Sequence, residues 1–151
     1  MSAVVEIKKI TYQQALPLRA KVLKPFLKLE ECVNPGDLRS DTFHLGAYLN
    51  SDLIGIASYE VEGHPHLPAQ NAFRLRGMAS DPDYRRHGVG RALVLGGLEE
   101  IVVRKGDLLW FNARILAFPF YESLGFEYWG DLFTLPRIGE HKVMYKYLRA
   151  L

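Results

Sequence analysis

A single cysteine, Cys32, among 151 residues excludes an internal disulfide framework and points to a reducing compartment. No apolar run approaches the roughly 18 residues that a membrane-spanning helix needs. Neither charge sign dominates: 19 Lys and Arg face 17 Asp and Glu, a formal net charge of +2, so a nucleic acid is not the expected partner. Repeats and low-complexity tracts are absent, and 48% hydrophobic residues with 12% aromatics exclude a disordered chain. The segment Met1 to Glu6 carries an acid where a secretory signal would carry bases, and no apolar stretch follows it. These absences leave one globular domain spanning 1–151, expected in the cytoplasm. It is large enough to bury about 68–70% of its unfolded surface without a disulfide or metal staple.

The remainder reads as alternating elements. Residues 4–10 read as a strand, and 12–23 as a short helix that Pro17 enters early or divides and Pro25 stops. Residues 29–41, with Asn34-Pro35-Gly36, read mostly as loop. Two β-rich runs, 43–49 and 53–61, flank Asn50-Ser51-Asp52, a hairpin turn by length and composition. A long loop over 63–71 leads into a third strand, 72–79. Residues 91–104 carry Leu93, Val94, Leu98, Ile101 and Val102 at three- and four-residue spacing, one apolar helix face. Arg104-Lys105-Gly106 supplies basic residues and a glycine cap at its end. Leu108 to Asn112 is apolar enough to be buried on both faces. Residues 117–124 form a short helix with Pro119 in its first turn, and 125–133 and 142–148 are closing strands. The strand–helix–strand unit of 72–112 requires a right-handed crossover between parallel strands, whereas the hairpins are antiparallel. The expected fold is mixed α/β (α+β): a central mixed, mostly antiparallel sheet of about six to seven strands with helices on both faces.

The strongest chemical signal lies between Tyr84 and Leu93, where a strand ends, a helix begins and glycines stand at 88 and 90. A helix N-terminus leaves backbone N–H groups unpaired and carries about half a positive charge, and glycine lets an anion approach them closely. The segment is a candidate pyrophosphate cradle, with Arg85, Arg86 and Arg91 around it. A Walker A loop would need Gly-Lys-Ser/Thr where Gly90 is followed by Arg91-Ala92, and a dinucleotide fingerprint would need a small residue where Leu93 stands. Arg85, Gly88 and Gly90 match the third pattern, Arg/Gln-x-x-Gly-x-Gly/Ala. The competing reading is an ordinary strand-to-helix turn with solvated arginines.

The stretch Leu75 to Leu93 (LRGMASDPDYRRHGVGRAL), with Ala117 to Phe126 (AFPFYESLGF), resembles the GNAT superfamily of acyl-CoA-dependent N-acyltransferases. The first stretch is similar to the superfamily's strand, pyrophosphate loop and helix. The second is similar to a later helix with a tyrosine four residues before Gly-Phe. The resemblance implies a GNAT fold with acetyl-CoA as cosubstrate and no metal. It sets Met78, Ala79 and Ser80 beside the pantetheine arm, their backbone groups pairing with its amides. It sets the backbone N–H groups of Arg86, His87, Gly88, Val89, Gly90 and Arg91 on the pyrophosphate. Arg85 opens the motif, pairing with phosphate or ordering the loop.

The implied reaction is attack by a neutral primary amine on the thioester carbon, which needs an oxyanion donor, a base and an acid. Backbone N–H near Met78 to Ser80 is the natural oxyanion donor. Tyr121 matches the tyrosine that commonly serves as general acid; a phenol at ~10 and a thiol at ~8.5 differ by little. Its structural alternative is packing beside Phe120 and Phe126. Two departures stand out. Many relatives carry asparagine seven residues before this tyrosine; here it is Arg114, with Asn112 a candidate substitute at the cofactor. Many also place a glutamate on the strand 72–79, which here has none. Glu60, acting through water, and His141 are the candidate bases, and an α-amine at ~7.7–8.0 would need little help. The implied acceptor is a small-molecule amine or amino acid rather than a protein, with neither nucleic acid nor membrane as partner. A homodimer is also implied, because a C-terminal strand pair often supports one in relatives. The rival reading is a non-catalytic acyl-CoA-binding regulatory module.

Other signals are weaker. His64 and His66 offer two metal ligands without a third at a recognisable spacing, and a polar surface loop is the simpler reading. That loop and residues 34–41 are expected to rim the acceptor pocket. Arg74 and Arg76 share a strand face, either solvated or set for an anionic acceptor. Cys32 has no histidine placed beside it and reads as a spectator. Gly96-Gly97 costs up to ~1 kcal/mol per glycine in a helix, which implies close packing there.

Overall fold

Among residues 4–84 and 87–149, which the computed structural model describes, the strands are β1 (Glu6–Ile10), β2 (Phe43–Leu49), β3 (Asp52–Val61), β4 (Ala72–Ser80), β5 (Leu108–Arg114), β6 (Glu127–Leu135) and β7 (Gly139–Tyr147). The α-helices are α1 (Tyr12–Leu18), α2 (Val89–Val103) and α3 (Phe118–Ser123). The seven strands lie in the order β1-β2-β3-β4-β5-β7-β6. Among the described residues β4 and β5 run parallel, over Ala72–Arg74 and Leu108–Trp110, and the other described pairs are antiparallel. The sheet is thus mixed and mostly antiparallel, as the element order requires. The chain divides into two compact units, Met1–Val61 with Leu75–Glu100, and Glu62–Arg74 with Ile101–Leu151.

In the first unit, strand alternation sorts side chains to two faces of β3. Ile56 packs with Ala15 and Leu18 of α1 and with Ala79, whereas Gly55 faces Val89 and Leu93 of α2. Helices therefore cover both faces here. A reciprocal cap opens α1: the Gln14 N–H donates to Thr11 Oγ1 at 3.2 Å and the Thr11 N–H to Gln14 Oε1 at 2.8 Å. The predicted helix 12–23 is two pieces. Pro17 sits inside α1, and the turn after it, Arg19–Leu23, widens to a π-helical turn in which the Lys24 N–H reaches Arg19 O at 3.3 Å. The hairpin turn is Asn50-Ser51, with φ of 51° and 77°, the mirror-image geometry that suits strand twist.

The helical glycine pair has its packing reason. Tyr59 of β3 lays its ring against α2, and its hydroxyl donates to Leu93 O at 2.9 Å. A Cβ at position 97 would stand 2.1 Å from Tyr59 Cζ. Gly97→Ala is therefore expected to lower stability by about 1–3 kcal/mol, although alanine favours helix by up to ~1 kcal/mol. A urea midpoint that falls at constant m checks this.

The second unit is built on β5, buried on both faces. Leu108 and Trp110 pack with Leu67, Ala72 and Val143, while Phe111 meets Tyr121 and Phe126. The end of α2 differs from the sequence expectation. Lys105, not Gly106, takes the left-handed conformation at φ 64°, and the Gly106 N–H closes back on Ile101 O at 2.8 Å.

Candidate active site

In the first unit β4 ends at Ser80, and Pro82–Tyr84 form a short 3-10 turn ahead of α2. Gly88 has φ 69°, and nothing lies within 4 Å of where a Cβ would stand, so a left-handed, open position precedes the helix. The first helical hydrogen bond is Ala92 N–H to Gly88 O at 3.0 Å. The N–H groups of Val89, Gly90 and Arg91 precede it and have no intrahelical acceptor among the described residues. Val89 is buried against Gly55 and anchors this end of α2; His87, Gly88 and Arg91 are exposed, and Gly90 is half-buried. Three N–H groups, an open glycine and the positive end of a 15-residue helix fit a pyrophosphate. Arg85 and Arg86, also expected there, lie outside the described residues. On β4, Ala79 turns into the α1 core while Met78 and Ser80 are half-buried. Ladder pairing to β5 stops at Arg74, so the opposite edge from β3 over residues 75–80 has no strand partner among the described residues. Such an edge suits an amide-bearing arm that binds as a strand does.

Glu60 is buried near the end of β3, its Oε1 3.4 Å from Arg76 Nε. In the second unit Tyr121 is buried on α3, its ring 4.4 Å from Phe111, 5.0 Å from Phe120 and 5.9 Å from Phe126, centroid to centroid. Burial pushes its phenol well above the ordinary tyrosine range, and the Arg114 charge works against that rise. Arg114, at the end of β5, is thus electrostatically coupled to the tyrosine that the motif singled out. Asn112, half-buried on β5, pairs in register with Val143. His141 is buried on β7; its Nδ1 lies 2.8 Å from Gly139 O and its ring stacks on Phe133.

A family model for an acetyltransferase (GNAT) domain matches residues 40–128. The chain is 34% identical over 145 residues, 96% of its own length and 97% of the relative's, to an uncharacterised N-acetyltransferase, YitI, of Bacillus subtilis strain 168. The chain belongs to the GNAT acetyltransferase family. This GNAT chain is an N-acetyltransferase by that membership. Its fold is also that of the ribosomal-protein-S18-alanine N-acetyltransferase from Escherichia coli, with TM-score 0.74, 20% identity and coverage of 95% and 94% of the two chains. It is likewise similar to an aminoglycoside 6'-N-acetyltransferase complexed with coenzyme A, with TM-score 0.73, 14% identity and coverage of 94% and 96%.

Several side chains of the GNAT chain have partners that the sequence did not reveal. Arg74 pairs with Glu62 at 2.8 Å and lies over the Trp110 ring, and Arg76 pairs with Glu60. Each arginine is therefore engaged with a glutamate at or just past the end of β3 rather than standing as a solvated face. His64 meets Trp110 and Trp129 edge-on, His66 stacks on Trp129, and the His66 N–H donates to His64 Nδ1 at 3.1 Å. That nitrogen is occupied, so the pair reads as a packed loop.

The segment 34–41 is held by contacts of its own. It contains the 3-10 turn Pro35–Leu38, and Asp37 is buried in a bidentate pair with Arg19, at 2.7 and 3.2 Å. Arg19 also donates to Cys32 O at 2.9 Å and to Ser58 Oγ at 3.0 Å, and His44 Nδ1 stands 2.7 Å from the same Ser58 oxygen. The buried Cys32 thiol lies 3.4 Å from Lys28 O. Burial lowers the His44 pKa, reinforced by Arg19 and opposed by Asp37. The unfolded chain therefore takes up this proton first as pH falls. Stability is expected to decline from about pH 6.5 down to the lower folded pKa. A flatter urea-midpoint profile between about pH 7 and 5 in His44→Asn than in the native chain checks this.

Proposed function

We propose that this enzyme moves an acetyl group from acetyl-CoA to a primary amine by direct attack, in one catalytic domain spanning 1–151 and acting in the cytoplasm. The carrying observation is the start of α2, where the open, left-handed Gly88 accepts the Ala92 N–H and the N–H groups of the first turn precede that bond, on a chain of the GNAT family. His87, Gly88, Val89, Gly90 and Arg91, with Arg85 and Arg86, would hold the pyrophosphate. The unpaired edge at Met78, Ala79 and Ser80 would take the pantetheine arm and offer an N–H to the thioester oxygen, and Asn112 would complete the cofactor contacts. The structural neighbours named for an alanine of a ribosomal protein and for an aminoglycoside both take amine acceptors. A small molecule or amino acid is the acceptor favoured here.

The amine lone pair attacks the thioester carbon and the C–S bond then breaks, leaving an amide and a thiolate. The nitrogen loses a proton to Glu60 through water, and the thiolate gains one from Tyr121. Glu60 is preferred to His141 because the histidine has one nitrogen on Gly139 O and its ring against Phe133. The test is release of free thiol from acetyl-CoA over an amine library. Turnover of at least one primary amine, with mass spectrometry showing N-acetylation, is expected. Thiol release indifferent to every amine contradicts it.

A further inference from the structure

The Glu60 carboxylate is seated by contacts that the transfer chemistry does not itself require, and their bearing on catalysis rests on the reading of Glu60 as base. From β4, Arg76 Nε faces Oε1 at 3.4 Å. From the segment between α1 and β2, the backbone at Gly36 lies directly on the carboxylate. A Cβ built there would stand 1.8 Å from Glu60 Oε2 and 2.9 Å from Cδ, and its three nearest atoms all belong to Glu60. Any side chain at this position would require the Glu60 carboxylate to move.

The loop is itself fastened. The Gly36 carbonyl accepts from Thr42 Oγ1 at 2.6 Å and from the Arg39 N–H at 3.1 Å. Asp37, the next residue, accepts the two Arg19 donors and the Asn34 N–H at 2.8 Å. The same guanidinium donates to Ser58 Oγ, on the strand face that Glu60 shares two residues later, and His44 of β2 faces that serine. One planar fork thus ties the π-helical turn after α1, the loop and β3 together. A buried ion pair commonly adds little stability beyond an apolar replacement, but it fixes geometry.

We propose that Gly36 and the Arg19–Asp37 pair are positioning residues for Glu60. They press the loop backbone onto its carboxylate and thereby set both its direction and its proton affinity. Segment 34–38 is on this account a fixed wall of the acceptor side of the reaction, and its composition answers to the base rather than to the acceptor.

Gly36→Ala is the sharpest probe, because the added methyl meets Glu60 and the backbone there is not left-handed. Arg19→Lys keeps the charge but removes the fork. The full chain would be compared as native, Gly36→Ala, Arg19→Lys, Glu60→Gln and Gly36→Ala/Glu60→Gln. Readouts are kcat and KM against pH with an amine that the native enzyme acetylates, and 13C NMR titration of the Glu60 carboxylate in the substrate-free protein. Glu60→Gln is expected to lower kcat about 100-fold or more. Gly36→Ala and Arg19→Lys are expected to lower kcat about tenfold with KM for acetyl-CoA little changed. They should also move the acid limb and the Glu60 titration together by about one pH unit. In the Glu60→Gln background Gly36→Ala should add nothing. An unmoved Glu60 titration in folded Gly36→Ala, or the same tenfold loss without Glu60, overturns the proposal. Wild-type kcat in Glu60→Gln removes the base reading instead, and the titration alone then decides the positioning. Should Arg19→Lys not fold, Gly36→Ala carries the test.

Discussion

Tyr121→Phe is expected to cut kcat by about 10²–10³-fold while acetyl-CoA binding and stability stay near native. The ring is wedged among Phe111, Phe120 and Phe126, and phenylalanine keeps every one of those contacts. Only the hydroxyl is lost, and with it, on the proposed mechanism, the proton for the leaving thiolate. The state of that proton follows from its surroundings. Burial raises the phenol pKa, and the Arg114 charge offsets part of the rise by favouring the phenolate. Tyr121 thus stays protonated across about pH 6–9, and its ionisation should produce no alkaline fall in kcat within that window. Steady-state kinetics with calorimetry decides the matter: native turnover in folded Tyr121→Phe would remove the acid assignment, whereas an alkaline limb in that window that the substitution abolishes would contradict the raised phenol pKa.

The largest stability effect is expected at Arg19 and Asp37. Both side chains are almost wholly buried, and each leaves an uncompensated charge if the other is truncated. Arg19→Ala or Asp37→Ala should cost about 3–5 kcal/mol. At about 2–4 °C per kcal/mol for a chain of this size, that is a large fall in Tm. Arg19→Met with Asp37→Leu should recover much of the loss, because an apolar pair removes the burial penalty of both charges together. Urea denaturation of the four proteins reads this directly. Losses below about 1 kcal/mol for both single variants would mean that the pair is solvated in solution.

The sequence was most legible where local chemistry decides the structure. Glycines at a strand-to-helix junction, the three- and four-residue spacing after Arg91 and the apolar run at Leu108 each have one physical solution, and the structure adopts it. The Asn50-Ser51 turn follows from the same local logic. The segment 29–41 was not legible, because its order comes from a partner 18 residues away from Asp37 and charged residues read by default as solvated. The one hint was that Arg19 follows Ala15, Leu16 and Leu18, the buried stripe of α1. The π-helical turn that delivers Arg19 depends on a hydrogen bond five residues back, which composition does not announce. Gly97 was legible as a packing site, but its partner Tyr59 lies far away in sequence. Of the candidate site, Tyr121 and the Gly88 loop come from motifs. The burial of Tyr121, the Arg114 charge beside it and the seat of Glu60 on Gly36 come from tertiary packing.

The central claim is that the glycine loop and the edge of β4 serve acetyl-CoA. Isothermal titration with acetyl-CoA, CoA, ATP and NAD tests it most directly. The account predicts micromolar or tighter binding of acetyl-CoA and CoA, with ATP and NAD much weaker. No binding of either CoA species, or a clear preference for ATP or NAD, would contradict it.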